Sequence, residues 1–216
     1  MRIREYQLNE LAEARKLQKR MAELHIPSPV MSWGYDIKNV NGEIVEKGIG
    51  KANSYTRNAL NSLAYYVGLA AYALGGTSFG DGILSIKYPD ASTNHTLNTN
   101  SQQVRYSSKN AIVEVGISGS AESLDSYVVP TSGLTSGTNA VLSSFNAETR
   151  ILTTIMSRPF VNNTASAIDI VESGMTIEDY NGSVNLMVRD VFAAISVGAG
   201  NTLTWTYTTE VAYPNP

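Results

Sequence analysis

The chain has 216 residues, 16 of them basic and 19 acidic, for a formal net charge of −3, and it contains no cysteine. A chain of this length can bury a core without disulfides or metals, and the missing thiols exclude disulfide scaffolds, thiolate zinc sites and cysteine nucleophiles. The charge balance offers no broad basic field, so nucleic acid is not an expected partner. The opening stretch, MRIREYQLNELAEARKLQKR, is charged and lacks the apolar segment of a signal peptide. The longest apolar run, Leu63 to Leu74, is too short to cross a bilayer. A chain that is neither exported by a standard route nor held in a membrane is the expectation.

In chain order, the spacing predicts a helix over residues 9–24. Leu8, Leu11, Ala14, Leu17, Met21 and Leu24 recur every three or four residues, with Asn9 to cap the start and Pro27 and Pro29 to stop it. Such a helix packs on its own domain or docks on a neighbouring subunit, and Leu11, Leu17, Met21 and Leu24 would carry the docking. A hairpin follows. Met31, Trp33, Tyr35 and Ile37 alternate, Asn41-Gly42 supplies a turn, and Ile44-Val45 begins the return strand. GIGKAN, residues 48–53, reads as a turn into a second helix over 55–74, apolar enough in its second half to be buried. Beyond Ile83, short β-type runs alternate with Ser/Thr/Asn/Gly loops, ending in VNLMVRDVFAAISV (184–197), a Gly-Ala-Gly-Asn turn and the alternating NTLTWTYTTEV (201–211). The fold expected is mainly β with two helices. An N-terminal anchoring helix and proline break (1–30) and a hairpin with its buried helix (31–80) would precede an antiparallel β-sandwich or jelly roll (81–216).

Residue types that carry chemistry are sparse. The two histidines fit ordinary roles, His25 capping the first helix and His95 in the solvated loop ASTNHTLNTN, and neither has the spacing of a triad or a metal site. Asp169, Glu172, Glu178, Asp179 and Asp190 form the densest acidic group and read as solvated strand and turn residues, although any two could make a glycosidase pair. GIGKAN lacks the third glycine of a dinucleotide loop and the ending of a P-loop. Asn94, Asn162 and Asn181 open sequons that matter only in a secretory pathway. No catalytic residue, cofactor or metal is expected, and a small-molecule ligand is not expected either.

Three C-terminal stretches form a pattern: SRPFVNNTASAIDIVESGMTI (157–177), LMVRDVF (186–192) and VGAGNTLTWTYTTEV (197–211). They combine an arginine-aromatic-asparagine strand, a V-E-x-G strand, an Arg-Asp pair, a glycine turn and an alternating last strand. Upstream, VNGEIVEKGIGKANSYTRNALNSLAYYVGLA (40–70) and VGISGSAESLDSYVVP (115–130) supply a matching hairpin, helix and connecting segment. Together they resemble β-rich structural proteins of tailed-bacteriophage virions. The resemblance implies a virion component without fixing its layer in the particle. The leading expectation is a non-enzymatic structural protein of the head–tail neck, collar or tail, made in the host cytoplasm and partnered by other virion proteins in a symmetric homo-oligomer. A capsid decoration protein is the nearest alternative. Arg158, Arg189 and Asp190 would then form structural or inter-subunit ion pairs. A glycan- or receptor-binding module is the alternative of another class, with Tyr127, Tyr180 and Tyr213 available as a platform.

Overall fold

The computed structural model describes residues 1–6, 8–24, 28–52, 54–55, 85–87, 94–96, 111–120, 132–178 and 184–213. The strands are β1 (Arg2–Tyr6), β2 (Ser28–Lys38), β3 (Ile44–Lys51), β4 (Ser54–Tyr55), β5 (Ser85–Lys87), β6 (Asn94–Thr96) and β7 (Ala111–Gly116). They continue with β8 (Thr135–Ser136), β9 (Ala140–Asn146), β10 (Ile151–Val161), β11 (Ile168–Glu178), β12 (Val184–Val197) and β13 (Thr202–Ala212). Among the described residues the fold is mainly β with one helix, α1 (Leu8–Glu23), and its sheets are antiparallel except where β1 runs parallel to β3. The second expected helix lies outside the described residues, apart from Tyr55, which closes β4. The chain forms two compact units, each drawn from separate stretches: 1–52, 132–170 and 194–216 in the first, 53–131 and 171–193 in the second.

The first unit is built on a sheet of order β1-β3-β2-β13-β10-β8, with β9 also paired to β10. The expected alternation of the last strand sets its centre. Leu203, Trp205 and Tyr207 are wholly buried, while the threonines between them remain partly exposed. The antiparallel register places Tyr35 beside Trp205, Trp33 beside Tyr207 and Ile37 beside Leu203, so one sheet face gathers the large side chains. Trp205 stacks on Trp33 at 5.0 Å and on Tyr35 at 5.7 Å between ring centroids. The hairpin joining β2 to β3 turns as expected. Gly42 takes φ +82°, and the Asn39 Oδ1 accepts the N–H groups of Asn41 and Glu43 at 3.0 Å each.

GIGKAN is not a turn over its first four residues: Gly48 to Lys51 form the end of β3. Both glycines lie under aromatic rings. A Cβ on Gly48 would run into Tyr35, and one on Gly50 into Trp33. The alternating glycines are therefore a floor for two rings, a role that sequence spacing does not distinguish from a loop.

Helix α1 lies against β2, β3 and β13, on the sheet face away from the aromatics. The Arg15 guanidinium meets Glu210 at 2.8 Å, Lys51 meets Glu10 at 3.6 Å, and the Gln18 amide donates to the Glu210 carbonyl at 2.6 Å. Leu11 and Gln18 are buried, Ala14 and Met21 half-buried, and Leu17 and Leu24 exposed. The reason is geometric: steps of three residues precess around a helix by about 60° each. A run of threes therefore leaves the sheet, and the face that meets it runs through Leu11, Ala14, Gln18 and Met21.

In the second unit, β4, β7 and the parts of β11 and β12 that fall within residues 171–193 belong to a four-stranded sheet of order β4-β12-β11-β7, and β5 pairs with β6. Val113, Leu186 and Val188 are buried in it. His95, expected in a loop, lies in β6 with Ile86 as its register partner.

Candidate functional site

Within the second unit the polar centre is an ion pair between neighbouring strands. Glu172 on β11 is wholly buried, and Arg189 on β12 is 3% exposed. The Arg189 Nε donates to Glu172 Oε2 at 2.9 Å and its Nη2 to the same oxygen at 2.5 Å. Nη2 also reaches the Ser120 carbonyl and hydroxyl, while the Ser118 N–H donates to Glu172 Oε1 at 3.0 Å. The adjacent Asp190 is buried as well. Consecutive strand residues project to opposite faces, so the carboxylate that meets Arg189 comes from the next strand. Glu172 and Asp190 are thus not the solvated residues that the acidic group suggested. In this pair both charges are compensated and withdrawn from water, and Asp169 of the same acidic group stays exposed.

The first unit holds a second buried polar hub. Asn162, at the end of β10, is wholly buried. Its Nδ2 donates to the carbonyls of Ser166 and Val197 at 2.8 and 2.7 Å. Its Oδ1 accepts from the Thr164 N–H at 3.0 Å and hydroxyl at 2.7 Å. The sequon threonine therefore serves its own asparagine. The Asn162 backbone also exchanges hydrogen bonds with Gly200 and Asn201, locking the glycine turn before β13. Arg158, two pairs of residues earlier on β10, directs Nε to the Gly137 carbonyl at 2.9 Å and Nη2 to the Ser136 hydroxyl at 2.8 Å, and lies over the Phe160 ring. The arginine-aromatic-asparagine pattern is thus a brace for this edge of the sheet.

The accessible features of the first unit are of another kind. An open groove of roughly 820 Å³ runs between α1 and the β10 and β13 ends, lined by Arg15, Lys19, Glu148, Ile151, Glu210 and Tyr213 among others. Its charges are mixed and already partly paired. Beside it, Tyr213 meets Phe145 edge-on at 6.1 Å, and both rings are more than 40% exposed. Phe145 belongs to β9, all seven residues of which are exposed.

Of the predicted docking residues, Leu11 and Met21 face the sheet, whereas Leu17 and Leu24 stand free on the outer side of α1. Tyr127, Tyr180 and His25 lie outside the described residues. Among the described residues no group of three or more metal-ligating side chains comes together, and no helix is long and apolar enough to cross a membrane. Sequence reasoning missed Glu172 as the partner of Arg189. The signal was present: each charge sits in the middle of an apolar run, IDIVESGM and LMVRDVF. It also missed β9 as an exposed edge. AVLSSFN carries apolar residues at both parities and no charge, which already departs from a strand with one wet face. Comparison of the chain with protein-family models, with curated proteins and with solved structures finds no match.

Proposed function

We propose that the chain is a non-enzymatic structural component of a tailed-phage virion, placed in the head–tail neck, collar or tail region. It takes no cofactor, has other virion proteins as partners, and works as a symmetric homo-oligomer made in the host cytoplasm. The finer architecture belongs to the same reading: a sandwich or jelly roll in which a second helix over 55–74 is buried. The observation that carries the proposal is the exposed apolar surface of the first unit. Val141, Leu142 and Phe145 on β9 are 46, 66 and 54% exposed, and Leu17 on α1 and Leu24 directly after it are exposed to a similar degree. Large apolar groups collected on a strand edge and one helix side are what protein partners cover. The virion itself enters through the sequence resemblance.

Antibodies raised against the purified protein test this on particles from the source culture by immuno-electron microscopy. Label at the head–tail junction or along the tail is the expected result. Label spread over the capsid lattice would turn the reading to a decoration protein, and unlabelled particles would end it. The edge-on pair of exposed rings, Tyr213 and Phe145, beside a polar groove favours one second reading, a glycan-binding module. Saccharide binding that is lost in Tyr213→Ala would select it.

A further inference from the structure

The two edges of the larger sheet differ in a way that identifies a partner. The β1 edge, RIREY, carries Arg2, Arg4 and Glu5, and charges on an edge strand discourage another strand from adding to it. The opposite edge has no such guard. β9 is AVLSSFN, without charge, proline or glycine, and it pairs with β10 in unbroken register from Ala140↔Ser157 to Asn146↔Ile151. Among the described residues nothing pairs with its other side. Its side chains are exposed on both faces of the sheet, so strand addition would cover apolar surface above and below as well as satisfy the backbone.

The order of residues along β9 favours one occupant. Turned about Ser143 and laid antiparallel to itself, the strand matches its own pattern on the face that carries Val141, Ser143 and Phe145. Val141 falls opposite Phe145 of the second copy, Leu142 opposite Ser144, and Ser143 opposite itself. The aromatic and β-branched residues meet on one face, a favourable cross-strand combination, and the absence of charge means no like-charge clash at the symmetry axis. A twofold contact needs a surface complementary to itself, and this strand has one.

We infer that β9 joins the chain to a second copy of itself, antiparallel and edge to edge, about a twofold axis at Ser143. The inference rests on the reading of the chain as an assembly component and names the partner of one edge. A single strand junction is a small interface, so the dimer forms in a concentration-dependent way.

Light scattering on the whole protein across a concentration series tests the inference. The mass should rise from the 23.3 kDa of one chain toward twice that value. Ser143→Lys places like charges across the axis and should hold the protein at the monomer mass. Val141→Lys combined with Phe145→Glu in one chain should still dimerise, because in this register each new charge faces its opposite, and a monomeric double variant would overturn the register. All three sites are exposed, and matching circular dichroism and melting curves confirm that the variants fold. Because the chain has no cysteine, Ser143→Cys should also oxidise readily to a disulfide-linked dimer, and Glu13→Cys on α1 should not. A wild-type protein that stays monomeric, a Ser143→Lys variant that still dimerises, or cross-linking equal at the two cysteine positions would each overturn the inference. Monomeric protein that nevertheless labels the particle would remove the self-pairing and leave the assembly reading. A β9 dimer absent from every particle would do the reverse.

Discussion

Trp33 and Tyr35 lie over Gly50 and Gly48, and this sets the sign of a substitution that is usually benign. An alanine in a strand interior normally gains over glycine by losing less backbone entropy. At Gly50 the new Cβ would have to displace a buried ring stacked on Trp205. Gly50→Ala should therefore destabilise the protein by about 1–3 kcal/mol in urea unfolding; a gain in stability would show that the ring does not rest there. The buried pair in the second unit makes a complementary case. Glu172→Gln leaves the Arg189 charge enclosed without its counter-charge, and removing one partner of a buried pair costs about 3–5 kcal/mol. Replacing both residues by leucine should cost less than Glu172→Gln alone, since no buried charge is then stranded. If the double variant is the worse of the two, the network holds the strands by its hydrogen bonds to Ser118 and Ser120 rather than by charge compensation.

At the scale of elements, α1 separates pattern from packing. The recurrence of Leu11, Leu17, Met21 and Leu24 was enough to predict the helix, and α1 spans Leu8–Glu23 against an expected 9–24. It was not enough to say which side faces inward. Gln18 is buried at a position that hydropathy assigns to solvent, because its amide finds the Glu210 carbonyl. Leu11→Ala should lower stability by about 2–5 kcal/mol, whereas Leu17→Glu should stay within about 0.5 kcal/mol of the wild type. Parallel thermal melts decide it, and equal losses would mean that the outer side of α1 is covered too. The strands show the same division. β12 coincides with the expected 184–197 and β13 lies within one residue of its expected span, since alternation and turn residues are local signals. That β13 pairs with β2 and β10, some 170 and 50 residues earlier in the chain, is not local.

At the scale of the whole molecule, both units are assembled from segments far apart in sequence. The central β13 of the first unit lies between β2 and β10, and its Trp205 stacks on Trp33 and Tyr35. A fragment of residues 81–216 carries β13 and β10 but lacks α1, β2 and β3. It should lose the near-ultraviolet circular dichroism of the stacked aromatics and the cooperative unfolding of this unit. A fragment that melts as sharply as the full chain would show that residues 81–216 form a self-sufficient sandwich, as chain order alone suggests.

The amino-acid order by itself determined the mainly β character, the first helix, the N-terminal hairpin and the closing strand, because each follows from periodicity and turn chemistry within a dozen residues. It also excluded thiol chemistry. Only the tertiary structure decided that Gly48 and Gly50 support aromatic rings, that Arg189 meets Glu172, that Asn162 locks a turn, and that β9 is left as an unguarded edge. Each of these depends on which distant segment lies alongside, and burial and exposure exist only once that pairing has been made.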